Sequence, residues 1–147
     1  MSLKKYQEKR DFSKTPEPSG RIKGEGEHRF VVHKHQATHL HYDFRLEMGG
    51  VLRSWAVPKG PPPEPGIRRL AVQVEDHPLD YIDFAGEIPQ GGYGAGSVEI
   101  WDKGNFELEK ETANGLEFSL RGKKLSGSYV LIRTDGKNWL FIRRKEA

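Results

Sequence analysis

The sequence predicts an all-β protein built as an antiparallel barrel or sandwich, and two observations carry that class. From Arg29 onward, short runs rich in β-branched and aromatic residues follow one another, and most alternate in polarity. Turn signals separate them at 49–50 (GG), 102–105 (DKGN) and 135–138 (DGKN), and no segment carries a helical stripe.

Taken in order, residues 1–28 hold few apolar side chains (Met1, Leu3, Tyr6, Phe12, Ile22) and the coil signals TPEPSG and GEGE, so alone they read as a disordered arm. Residues 29–147 form the single β domain. Its expected strands are RFVVH, LHYDFRLEM, VLRSWAV, RLAVQVE, SVEIWD, NFELEKE, LEFSLRG, GSYVLIRT and NWLFIRR. The stretch PKGPPPEPG at 58–66 must be an irregular loop, because proline cannot serve a strand ladder. IPQGGYGAG at 88–96 is a second loop, glycine-rich enough for sharp turns or close approach to a ligand.

Composition narrows the function classes. The 147 residues contain no cysteine, which excludes disulfides, thiolate metal sites and a cysteine nucleophile, so any metal must be held by nitrogen and oxygen. No apolar run is long enough to span a membrane, and the N-terminus lacks the apolar core of a secretory signal, so a cytoplasmic location is expected. A net charge of +3 leans mildly toward anionic partners.

The chemistry concentrates in HKHQATHLHYDFR at 33–45, with four of the six histidines. Residues 40–57 read as a hairpin turning at Gly49-Gly50. Alternation then puts Tyr42, Phe44, Leu46 and Met48 on an apolar face, with Phe44 opposite Trp55 and Tyr42 opposite Val57. His41, Asp43, Arg45 and Glu47 share the other face, and the small Ser54 and Ala56 opposite Arg45 and Asp43 leave room for a ligand. A short turn through QATH brings His35 beside this row. His35, His41 and Asp43 then form a two-histidine, one-carboxylate set with open coordination positions, suited to manganese, iron(II), cobalt or zinc. His33 and His39 are expected to be surface histidines. His77 in EDHPLDY, with Lys59, Arg68 and Arg69 before it, would make a phosphate site if the fold gathers them.

Three stretches, FVVHKHQATHLHYDFRLEMGGVLRSWAVPKGPP, RLAVQVEDHPLDYIDFAGEIPQGGYGAGSVEIWDKG and NWLFIRRK, resemble the 3′-phosphoesterase module of bacterial DNA ligase D and its free-standing relatives. The leading KRDFSKTPEPSG is similar too, so the resemblance spans nearly the whole chain. It implies a compact antiparallel β-barrel with long loops and an N-terminal arm packed near the active site. It implies a manganese-dependent enzyme of DNA repair, with cobalt or zinc as alternative metals. Such an enzyme removes a 3′-terminal ribonucleoside as a phosphodiesterase and then the remaining 3′-phosphate as a phosphomonoesterase. Carried over by motif, His35, His41 and Asp43 are the metal ligands. Arg45, Lys59, Arg69 and His77 hold the phosphate with Tyr81 beside it, and Glu75, Arg10, Asp11 and Glu17 assist the diester step. The partners implied are nucleic acid 3′ ends and a ligase or polymerase acting in trans, with no membrane. His33 departs from the family's more frequent glutamine, and Gln90 and Gly92 from its glutamates.

Two other classes stay open on the residues. A His-x-Asp pair with a later histidine is also the facial triad of non-haem iron oxygenases, although the surrounding cations favour phosphate. A non-catalytic nucleic-acid-binding barrel fits the charge but gives the His/Asp row no role.

Overall fold

The computed structural model describes residues 3–18 and 28–145. Nine strands run in chain order: β1 (Arg29–Gln36), β2 (Leu40–Met48), β3 (Val51–Val57), β4 (Arg68–His77), β5 (Gly86–Ile88), β6 (Gly96–Thr112), β7 (Gly115–Arg121), β8 (Ser126–Asp135) and β9 (Asn138–Arg143). They pair antiparallel in the order β1-β2-β3-β4-β9-β8-β7-β6-β5. A further β1–β6 pairing closes eight strands into a barrel and leaves β5 as an extra strand on β6.

The β2–β3 hairpin has the expected register. Gly49 and Gly50 both take positive φ (61° and 83°), as a two-residue turn of this hand requires. Met48 faces Val51, Phe44 faces Trp55 and Tyr42 faces Val57. The apolar face points into the barrel, where Phe44 packs against Phe118 and Phe141 beneath Trp55 and Trp139. The polar face therefore lies on the outer wall.

A second apolar cluster covers that wall. Tyr6, Val31, Leu52, Leu79, Tyr81, Ile82, Phe84, Ile88 and Val98 pack together outside the barrel. Two short helices supply part of it: α1 (Lys4–Glu8) in the arm and a 3₁₀ turn at Leu79–Asp83. Each is five residues long, too short to print a helical stripe on the sequence. The described part of the arm is not disordered: Tyr6 is fully buried and its hydroxyl donates to the Pro18 carbonyl. The GEGE stretch and the junction between arm and barrel lie outside the described residues.

One expected turn is absent. SVEIWD and NFELEKE are a single 17-residue strand, β6, which runs straight through DKGN. Asp102 spends its carboxylate elsewhere. It accepts backbone N–H bonds from Lys103 and Lys123 (both 2.9 Å), Lys124 (3.1 Å) and Leu125 (2.8 Å), tying β6 to the loop after β7. Gly104 is there for close approach, since a Cβ on it would lie 2.1 Å from the Arg121 carbonyl oxygen. The turn-like composition therefore serves contact between neighbouring strands. Asp102 is 4% exposed, so removing its carboxylate leaves four backbone donors without their acceptor. Asp102→Ala should lower the unfolding free energy in urea by roughly 3 kcal/mol.

Candidate active site

Strands β1 and β2 bring the donor set together. The β1–β2 register places His35 opposite His41, and both rings converge on Asp43. His35 Nδ1 lies 3.4 Å from Asp43 Oδ2, and His41 Nε2 lies 3.3 Å from Asp43 Oδ1. All three ligand atoms fall within 4.8 Å of one another.

The outer hydrogen bonds orient the rings. His35 Nε2–H donates to the Gly94 carbonyl (2.7 Å), and His41 Nδ1–H donates to the His39 carbonyl (3.2 Å). In the neutral rings the lone pairs then sit on Nδ1 of His35 and Nε2 of His41, the two nitrogens turned toward Asp43. Two imidazole lone pairs facing a carboxylate repel unless a cation or a proton lies between them. Backbone-anchored histidines beside a carboxylate are the outer-shell arrangement of metal sites, so this donor set fits a divalent ion. Burial alone would raise the Asp43 pKa, but Arg45 and the two histidines hold it well below the ordinary carboxylate range. The hydrogen bond to Asp43 in turn raises the pKa of His41.

Beside the donors lies an anion cradle. The two share a cavity of about 320 Å³, lined by His35, His41, Asp43, Arg45, Arg10, Glu17, Glu75, His77, Tyr81 and Tyr93 among others. Arg45 has one free corner: Nη1 is buried and finds no hydrogen-bond partner among the described residues. Its Nη2 sits 3.5 Å from Asp43, its Nε–H donates to His33 Nδ1 (3.1 Å), and its guanidinium lies over the Tyr81 ring (4.9 Å). His77 Nδ1–H donates to the Glu75 carbonyl (2.9 Å), which leaves Nε2 facing Arg10 Nη2 at 3.5 Å. Burial, with Arg45 and Arg10 nearby, pushes the His77 pKa well below its usual value.

The arm completes the cradle. Arg10 donates to Glu17 (3.0 Å) and lies 3.4 Å from Glu75. Glu17 also accepts from the Tyr81 hydroxyl (2.6 Å), which burial keeps protonated by raising its pKa. Asp11 stands one step away, exposed and bonded to Ser13, on a neighbouring groove.

Two expected cations stand apart. Lys59 is exposed in the turn after β3, away from the cavity lining. Arg69 pairs with Phe141, a core residue, so it lies on the inward face of β4. Arg68 is on the outward face that Val74 shares with the cavity.

His33 is not the surface residue that the sequence suggests. It is fully buried, and its role is to accept from Arg45. Strict alternation along RFVVHKH puts His33 on the same face as His35, and that was the available signal. His39 is exposed, as expected.

Comparison with known proteins places the sequence in a family. Residues 33–133 match the family model described as the DNA ligase D 3′-phosphoesterase domain. The multifunctional non-homologous end joining protein LigD of Pseudomonas aeruginosa is 54% identical over 98% of this chain and 19% of its own length. LigD of Mycobacterium tuberculosis H37Rv is 48% identical over 97% of this chain and 20% of its own length. LigD of Mycolicibacterium smegmatis is 45% identical over 98% of this chain and 21% of its own length. The chain thus spans about a fifth of the length of these curated relatives.

The buried histidines make stability depend on pH. Burial and Arg45 press the His33 pKa down to about 3, whereas an unfolded histidine takes up its proton near 6.5. Between those values the unfolded chain binds more protons, so stability present above pH 6.5 is lost as pH falls. His77 acts in the same sense, and His41, whose pKa is raised, acts in the opposite one. The diagnostic quantity is therefore the difference between wild type and His33→Gln. In the metal-free protein between about pH 6.5 and 5, the variant's unfolding free energy should fall less steeply, by up to about 1.4 kcal/mol per pH unit.

Proposed function

The chain belongs to the DNA ligase D 3′-phosphoesterase domain family, and from that membership and this site we propose a metal-dependent hydrolase that processes 3′ ends in DNA repair by non-homologous end joining. One observation carries the reading. A buried arginine with a free Nη1 adjoins three converging metal-type donors, so one cavity can take a divalent cation and a phosphate together. Arg45 and Arg10 beside the donors favour a phosphate ligand over an oxygenase triad. We take residues 1–28 as the arm and 29–147 as the barrel domain, and the substrates as primer ends carrying a 3′-ribonucleotide or a 3′-phosphate.

In this reading His35, His41 and Asp43 hold the ion, with manganese the first choice and cobalt or zinc as alternatives. When bound, it supplies Lewis acidity toward a phosphate oxygen. Arg45 presents Nη1 and Nη2 to the remaining oxygens, and His33 fixes the guanidinium by accepting from Nε. Lys59 and Arg69 add to the surrounding positive field without lining the cavity.

His77 enters the cycle neutral. Its Nε2 can take up a proton once the phosphate's negative charge offsets Arg10 and Arg45, and can then pass that proton to the leaving oxygen. The nucleophile is water. Glu17, Tyr81 and Glu75 hold Arg10 at the edge of the cradle, where it meets the departing nucleoside of a diester; Asp11 supports the arm there.

The primary test follows an end-labelled primer–template ending in a ribonucleotide, incubated with manganese. The expected products are first the 3′-phosphate and then the 3′-hydroxyl; neither appearing would overturn the assignment. His41→Ala and Asp43→Ala should each reduce both steps at least a hundredfold while the circular dichroism stays that of wild type, because both side chains lie outside the barrel core. Arg10→Ala should slow the diester step at least tenfold more than the monoester step, since only the diester has a nucleoside to hold in line.

A further inference from the structure

A second cavity, of about 410 Å³, adjoins the first, and of its lining only the arm residues Arg10, Asp11 and Glu17 enter the chemistry above. It is a groove between the arm and the 89–95 loop, with Lys9, Lys14 and Thr15 on one side and Gln90, Gly92 and Tyr93 on the other. Arg10, Glu17 and Tyr93 line both cavities, so the groove opens directly onto the cradle.

The loop is built to present Tyr93. Two successive turns, Gly92 N–H to the Pro89 carbonyl (3.1 Å) and Ala95 N–H to the Gly92 carbonyl (3.2 Å), carry the tyrosine between them. Gly91 and Gly94 take positive φ (86° and 74°), which leaves the backbone free to fold this tightly. At 47% exposure, Tyr93 is among the few large hydrophobic side chains the protein leaves in solvent. Its neighbours are cations. Lys9 Nζ lies 4.8 Å from the ring centre and the Arg10 guanidinium carbon 5.2 Å.

An exposed aromatic ring with Lys9 and Arg10 against it, one step from a phosphate cradle, has the chemistry of a single-strand subsite. Bases stack on aromatic rings, and lysines neutralise the strand's phosphates. The Lys14 side chain is 82% exposed, with Asp11 at 3.9 Å its one ion-pair partner among the described residues, so it is available to a passing phosphate.

We propose that this groove binds the base of the nucleotide whose phosphate occupies the cradle, with Tyr93 as its stacking face, Lys9 holding the tyrosine through its hydroxyl (3.3 Å) and Glu75 (3.2 Å), and Lys14 toward the next phosphate of the strand. The inference rests on the phosphoesterase reading above and deepens it: the enzyme recognises a nucleic acid end by stacking, in any base sequence, and not the phosphate alone.

The test compares two single-stranded oligonucleotides ending in 3′-phosphate, one with a normal terminal nucleotide and one with that nucleotide abasic. Wild type should show about a tenfold advantage for the strand that keeps its base, the size expected for one stacked base. The advantage should appear in kcat/KM for phosphate release with manganese, and in affinity by fluorescence anisotropy in chelator. Tyr93→Leu should abolish it in both measurements, Tyr93→Phe should keep it, and Lys14→Gln should lower the salt slope of binding by about one. A full base-over-abasic advantage in Tyr93→Leu would overturn the proposal. So would an equal loss on both strands, which would make Tyr93 a support for its loop. If wild type releases no phosphate from either strand, the hydrolase reading fails instead, and the anisotropy comparison still decides the groove.

Discussion

The register of the β2–β3 hairpin is the constraint on which the molecule depends. Gly49 and Gly50 admit a two-residue turn with both φ angles positive, and that turn fixes Phe44 against Trp55. A slip of one residue would turn His41, Asp43 and Arg45 into the barrel and expel Phe44 and Leu46. Burial of the aromatic interior therefore holds the donor row on the outer wall. The core needs no polar group from that row, and the row needs no space in the core.

Around Asp43 the electrostatics follow from this placement. The outer wall would be wet if the arm and the 3₁₀ turn did not cover it. Once covered, every charge must be matched. Asp43 is matched by Arg45 and two histidines, and Glu17 by Arg10 and Tyr81, while His33 and His77 avoid the problem by staying neutral. Facing the cavity, one corner of Arg45 and the gap between three donors remain unmatched among the described residues.

Much of this was legible in the sequence because it follows from period-two alternation. The hairpin, its register, the small residues over Asp43 and Arg45, and the convergence of His35 on His41 all come from counting along strands. The errors lie where side chains answer to distant partners. Composition alone reads the arm as disordered because its few apolar residues cannot fold by themselves; the packed arm that the resemblance implies is the one observed, with Tyr6 on Tyr81 and His77, which the barrel supplies. DKGN reads as a turn because nothing local shows that Asp102 serves the 123–125 backbone. His33 looked like a surface residue because its acceptor role exists only once Arg45 is beside it. Arg69 was grouped with His77 by proximity in sequence, whereas strand alternation turns it inward.

The two halves of the site differ in how much of the chain they need. His35, His41 and Asp43 all sit on one hairpin, within nine residues of sequence, whereas the cradle draws on β2, β4, the 3₁₀ turn and the arm. Pieces joined over short loops are ordered early and at small entropic cost, and those joined over long ones late. The donor trio therefore belongs to a cooperative unit that survives partial opening, whereas the arm's share of the cradle, Arg10 and Glu17, is lost when the arm lifts. Lifting the arm would take Arg10 and Glu17 out of the cradle but leave the donor trio and Arg45 in place on their strands. Gathering the three donors and completing the cradle are therefore separate events in this fold, and the second waits on the docking of sixteen described residues at its N-terminal end.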